Sequence, residues 1–142
     1  MYRNIIVAID VIEEDSWHAP LICAVELARK FAAQLHVVTV VRDLDALLQA
    51  SVAPIGYEVI VTEVENQLAG LIRRATADDL HPSVQVVHGA SIYAEILRVA
   101  DEVKADLIVV GSHRPEMKDY LLGTNASRVA RHAGCSVLIA RE

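Results

Sequence analysis

The sequence predicts an α/β domain in which helices cover both faces of a five-stranded parallel sheet. Its 142 residues match one domain of ordinary size, so positions 1–142 are expected to form a single unit. Five short, nearly all-apolar runs alternate with four longer segments of helical periodicity. Hydrophobic residues make up 54% of the chain but aromatic residues only 4%, which is typical of aliphatic parallel strands buried under helices.

The predicted elements alternate regularly along the chain. Strands are expected at residues 4–10, 35–41, 84–88, 106–110 and 135–140, and helices at about 15–33, 57–78, 92–103 and 124–133. In the first helix, Leu21, Ile22, Val25 and Ala28 recur at helical spacing and are expected to face inward. Right-handed crossovers between parallel strands place helices on both sides of the sheet, which predicts a doubly wound fold.

A doubly wound sheet predicts where a ligand would bind. Ligands of such sheets lie beyond the carboxyl ends of the strands, at the point where the winding reverses. With a strand order of 3-2-1-4-5, that point falls between strands 1 and 4. The loop after strand 1 begins at Asp10 and the loop after strand 4 begins at Gly111, so these two residues are expected to face one crevice.

The most informative segment is GSHRPEMKDYLLGTN, at residues 111–125. It leaves a strand at Gly111 and enters a helix at Gly123, Thr124 and Asn125. The amino end of a helix offers unpaired N–H groups and a partial positive charge, which stabilise a phosphate. An ordinary glycine turn with Thr124 as helix cap explains the same residues.

At this segment the sequence resembles the universal stress protein family. Nucleotide-binding members of that family carry Gly-x2-Gly, nine residues, and then Gly-[Ser/Thr], and Gly111, Gly123 and Thr124 match this pattern. The resemblance covers the whole chain and is strongest to a short bacterial branch with a Ser-His-Arg-Pro loop, here residues 112–115. It implies an adenine-nucleotide alpha-hydrolase-like fold and a regulatory or stress-response module that binds ATP, ADP or AMP, with or without Mg²⁺.

The resemblance also implies a set of site residues. Asp10 would lie beside the adenine, and Val40 would form part of its hydrophobic wall. Gly111, His113, Gly123, Thr124 and Asn125 would serve the ribose and phosphates, mostly through backbone groups.

The sequence departs from the family pattern at Arg114, which stands where the second glycine is expected. In addition, only eight residues, 115–122, separate it from Gly123. The guanidinium would either clamp a phosphate or fill the space that the glycine leaves. Nucleotide binding and its loss are both compatible with this change.

Composition excludes several other classes. With 13 basic and 19 acidic residues the formal charge is −6, which disfavours a nucleic-acid partner. No apolar run approaches the ~18 residues that span a bilayer. The amino-terminal residues lack the pattern of a secretory signal, so a cytoplasmic location is expected. Cys23 and Cys135 stand apart from other metal or redox ligands and are interpreted as core thiols.

Three other functions are alternatives to nucleotide binding. A phospho-acceptor domain would use Asp10, but it would also need an aspartate after strand 3, where the chain has His88 and Gly89. A slow ATPase would use Asp10 to hold a metal. A homodimer without a ligand would need only the fifth strand, from Cys135 to Ala140, which is an apolar sheet edge and which family members use for dimer contact.

Overall fold

The computed structural model describes residues 1–10, 17–41, 56–112 and 124–141. Its strands are β1 (Asn4–Ala8), β2 (Gln34–Val41), β3 (Ser83–His88), β4 (Leu107–Gly111) and β5 (Ser136–Ala140). Its helices are α1 (His18–Phe31), α2 (Tyr57–Ala75), α3 (Ile92–Glu102) and α4 (Thr124–His132). These nine elements follow the order that the sequence predicts.

The five strands form one parallel sheet in the order β3-β2-β1-β4-β5. The central pairing sets Val7 beside Val109, and β2 runs along the other side of β1 with Val7 beside Val37. The predicted fold class and strand order are therefore confirmed, and the winding reverses between β1 and β4.

The first face of the sheet is covered by α1 and α2. Their apolar stripes pack on alternate strand residues such as Ile5 and Val7, because successive side chains of a strand point to opposite faces. Leu21 and Leu68 anchor the two helices and are fully buried. Ile22 was expected to face inward, but it is 42% exposed because the turn of α1 carries it past the buried stripe.

The second face is covered by α3 and α4. Ile6, Val38 and Ile108 supply the strand side of this core. Ile96 and Val129 supply the helix side, with 3% and 0% of their surfaces exposed. Each face of the sheet thus has a core of aliphatic side chains, as the composition indicates.

Strand β3 is more exposed than a buried parallel strand. Ser83, Val84 and Gln85 are all exposed. The exposure of its first half follows from the position of β3 at the edge of the described sheet.

Both cysteines are free and only partly buried, rather than deep in a core. Burial nevertheless raises the pKa of the Cys23 thiol. Burial also raises the pKa of Cys135, and the charges of Asp106 and Asp101 add to this effect. Both thiols are therefore held in the protonated, less nucleophilic form at neutral pH.

The longest described helix, α2, has 19 residues and carries charged side chains along its length. Within residues 1–10, 17–41, 56–112 and 124–141, no helix is long and apolar enough to cross a membrane.

Candidate functional site

The strands end together at the carboxyl edge of the sheet. The amide of Ile9 donates to the carbonyl oxygen of Val38 at 3.0 Å, which continues the β1–β2 pairing to the end of the strand. On the other side, the amide of Ser112 donates to the carbonyl oxygen of Ala140 at 3.3 Å. These bonds fix the backbone at the mouth of the predicted crevice.

Asp10 and Gly111 emerge at this mouth from neighbouring strands. Because Val7 lies beside Val109, Asp10 follows the paired segment by three residues and Gly111 by two. Asp10 is exposed, whereas Gly111 is half-buried. The two residues therefore lie at the carboxyl ends of two neighbouring parallel strands.

Val40 is half-buried near the end of β2 and packs against the second core. Ala8, two residues before Asp10, packs against the same core. The ends of β1 and β2 thus offer an apolar wall on the face that α3 and α4 cover, with a carboxylate at its rim.

The amino end of α4 lies over the same face. Thr124 is exposed and is the first helical residue, while Asn125 is half-buried. Ala126 and Val129 are buried in the second core and hold the helix against the sheet. The first turn of α4 contains no acidic residue, so no carboxylate within this turn offsets the partial positive charge of the helix end.

The first turn of α3 differs, because it carries Glu95. A carboxylate at the amino end of a helix stabilises the helix and disfavours a second anion there. Glu95 also lies close to Gly89, the residue after β3: a Cβ on Gly89 would stand 2.7 Å from Glu95 Cγ. The lack of a side chain at Gly89 lets the first turn of α3 close over the end of β3. An acidic residue in the first turn of a predicted helix is the sequence signal for this arrangement.

A cluster of three side chains joins α3 to α4. Arg128 and His132, one helical turn apart on α4, both contact the ring of Tyr93 in the first turn of α3. The Tyr93 and His132 rings are stacked, with centroids 5.9 Å apart and planes at 27°. Arg128 and His132 are both exposed on α4. The structure shows that both also contact an aromatic ring across the helix interface.

Among the predicted site residues, His113, Arg114 and Gly123 lie outside the described residues. The remaining five are Asp10, Val40, Gly111, Thr124 and Asn125, and all belong to the carboxyl edge of the sheet or to the helix that begins there. Within the described part of the chain, no cluster of three or more His, Cys, Asp or Glu side chains could hold a metal ion.

The family model of the universal stress proteins, described as "Universal stress protein family", matches residues 1–141. Universal stress protein G of Escherichia coli O157:H7 is 32% identical over 143 residues, which cover 99% of this chain and all of the relative.

Solved structures show the same similarity. A universal stress protein crystallised in complex with cAMP is 27% identical, with a TM-score of 0.64, and the match covers 99% of this chain and 97% of the other. The universal stress protein UspA from Lactobacillus plantarum is 25% identical, with a TM-score of 0.74 and coverage of 99% and 98%. The match to the family model and the matches to these solved structures cover nearly the whole chain. The chain belongs to the universal stress protein family.

Proposed function

We propose that this protein is a cytoplasmic regulatory or stress-response module that binds an adenine nucleotide at the carboxyl edge of its sheet. The observation that carries the proposal is that Val40 and the α4 helix lie on one face of the sheet, at the edge where Asp10 follows β1. A carboxylate, an apolar wall and a helix amino end are the chemical features that a nucleotide's base and phosphates require.

The base end of the site is assigned to Asp10 and Val40. The adenine amino group is a hydrogen-bond donor, and the Asp10 carboxylate is an acceptor exposed at the strand end. Val40 offers an apolar surface on which a flat ring can pack. This pairing favours adenine over a base that presents a carbonyl oxygen at the same position.

The phosphate end is assigned to Gly111, Thr124 and Asn125. The amino end of α4 carries no acidic residue, whereas the amino end of α3 already holds Glu95. An anion is therefore better stabilised at α4. The sequence adds His113, Arg114 and Gly123 to this end, with Arg114 as a charge-assisted donor to a phosphate.

The ligand class is ATP or another adenine nucleotide. The similar structure in complex with cAMP supports an adenine nucleotide as ligand for this fold at 27% identity. Mg²⁺, where it takes part, would arrive with the phosphates.

We also propose that the protein is a homodimer joined through β5. Val137, Leu138 and Ile139 are half-buried within one chain, although β5 lies at the edge of the described sheet. A second chain placed on that edge would cover apolar surface that one chain leaves open to water, and would pair the outward-facing amides.

Native mass spectrometry of the purified protein tests the nucleotide proposal. We expect a nucleotide to remain bound or to rebind from added ATP, ADP or AMP, with release on unfolding. Protein that retains none and shows no binding by calorimetry up to millimolar nucleotide with Mg²⁺ would contradict the proposal and favour a dimer without a ligand. Phosphate release over hours would instead favour the slow ATPase.

A further inference from the structure

A second polar cluster lies at the amino edge of the sheet, at the opposite ends of the strands from the proposed nucleotide site. It consists of Ser83 on β3, His36 on β2 and Asn4 on β1. His36 and Ser83 are register partners in the sheet. Ser83 Oγ lies 2.6 Å from His36 Nδ1, and Asn4 Oδ1 lies 3.4 Å from His36 Nε2. The three side chains therefore form a row across three adjacent strands.

The Asn4 contact favours one tautomer of the His36 ring. The amide oxygen of Asn4 only accepts hydrogen bonds, so the contact suits the tautomer that carries its proton at Nε2. A neutral imidazole then has a lone pair at Nδ1, which accepts the hydroxyl proton of Ser83. The row thus consists of a hydroxyl group, a base and an acceptor that orients the base. This is the arrangement found around activated serines.

The backbone holds the orienting residue in place. The carboxylate of Asp106 accepts hydrogen bonds from the amides of Arg3 and Asn4 at 2.8 and 3.1 Å. The amide of Asp106 donates in turn to the carbonyl oxygen of Asn4 at 2.9 Å. These bonds position Asn4, and through it the ring of His36.

We propose that Ser83 is a nucleophile that accepts the acyl group of a small activated ester, with His36 as its general base and Asn4 as a positioning residue. Ser83 Oγ forms a bond to the carbonyl carbon while its proton passes to His36 Nδ1. The tetrahedral adduct then expels the alcohol oxygen, which takes the proton from Nδ1. The products are acylated Ser83 and a free alcohol, and His36 is neutral again.

Burial and exposure fit these roles. Ser83 is exposed and so is open to a reagent, whereas His36 is half-buried. Burial lowers the pKa of His36 from 6.5, which keeps the ring neutral and able to take a proton at neutral pH.

The edge position of β3 leaves some of its backbone amides pointing away from β2. The amide of Gly89 points toward β2, where it donates to the carbonyl oxygen of Val41 at 3.4 Å. Alternate amides of a parallel strand point to opposite sides, so the amide of Val84 points to the outer edge. A backbone N–H of the residue after the nucleophile is a suitable oxyanion donor.

The test is labelling of the intact protein with an alkyl fluorophosphonate, which reacts with activated serines, followed by peptide mass mapping. We expect one label per chain, on Ser83. His36→Gln keeps a polar side chain but removes the base, and should slow labelling by about a hundredfold or more. Asn4→Leu should also slow labelling, and Asn4→Asp, which restores an acceptor, should recover most of the rate.

Two controls separate activation from accessibility. Ser136 is an exposed serine at the start of β5, and Ser136→Ala should label like the wild type. Heat-unfolded wild-type protein should lose the reaction, because activation depends on the folded row. Folded wild-type protein that stays unlabelled, a label on another residue, or equal rates for wild type and a folded His36→Gln variant would overturn the proposal.

Discussion

The guanidinium of Arg128 lies over the ring of Tyr93, with its central carbon 5.2 Å from the ring centroid. This contact connects the middle of α4 to the first turn of α3. His132 stacks on the same ring, so one aromatic side chain engages two consecutive turns of α4. The cluster therefore helps to set the position of α4, whose amino end forms the phosphate end of the proposed site.

Removing this ring is expected to destabilise the fold. Tyr93→Ala should lower the free energy of unfolding by about 1–2 kcal/mol, since it removes a ring stack and a cation–π contact. Arg128→Ala should cost about 0.5–1 kcal/mol. Arg131, exposed on the same helix, provides the control, and Arg131→Ala should stay within about 0.5 kcal/mol of wild type. Urea denaturation measures all three, and equal costs for the two arginine variants would contradict the assignment.

Stability is expected to depend on pH through His36. Burial lowers the pKa of His36 below 6.5, so the unfolded chain binds a proton at pH values where the folded chain does not. The free energy of unfolding should therefore fall as the pH drops through 6.5 and level off below the folded-state pKa. Between about pH 8 and about pH 5, wild type should lose more stability than His36→Gln. Parallel curves for the two proteins would show that His36 does not contribute.

The proposed dimer predicts a concentration-dependent mass. Wild-type protein should sediment as a dimer at tens of micromolar, and Ile139→Lys should shift it toward monomer by placing a charge on the β5 edge. Val59, which is 61% exposed on α2, gives a matched control, and Val59→Lys should remain dimeric. Because Ile139 also packs against the second core, thermal melting must show that the variant is folded. A wild type that is monomeric at this concentration would contradict the dimer.

The effect of Arg114 on nucleotide affinity distinguishes two interpretations of the altered glycine motif. If its guanidinium binds a phosphate, the lost contact is worth about 1.5–3 kcal/mol, which corresponds to about tenfold or more in the dissociation constant. Arg114→Ala should then weaken ATP more than AMP, because the triphosphate offers more charge. Calorimetry with both nucleotides measures this difference. Tighter binding by the variant would show that the side chain fills the pocket instead.

The sheet could be predicted from sequence because its strands are continuous apolar runs and its helices have a clear 3.6-residue period. The exceptions have local causes. Ser83 and Gln85 are exposed because β3 is an edge strand. The strand order alone does not predict how much of an edge strand the helices cover. Ile22 lies beside the buried stripe of α1, where one residue of rotation decides between core and solvent.

The carboxyl edge could be predicted because parallel strands end at the same side, which brings Asp10 and Gly111 together whatever their side chains do. Contacts between residues that are distant in the sequence could not be predicted in this way. Asn4, His36 and Ser83 are far apart in sequence, and only the strand register aligns them. Likewise, the contact of Arg128 with Tyr93 depends on how α3 and α4 pack, which periodicity does not specify.

The central claim is that Asp10 contributes to an adenine-nucleotide site at the carboxyl edge. Calorimetry with ATP on wild type, Asp10→Ala and Asp78→Ala tests it most directly, since Asp78 is an exposed aspartate in the connection between α2 and β3. We expect wild type and Asp78→Ala to bind alike, and Asp10→Ala to bind about tenfold or more weakly, because a hydrogen bond to a charged group is lost. Equal affinity of Asp10→Ala and wild type, or no binding by wild type up to millimolar ATP, would contradict the claim.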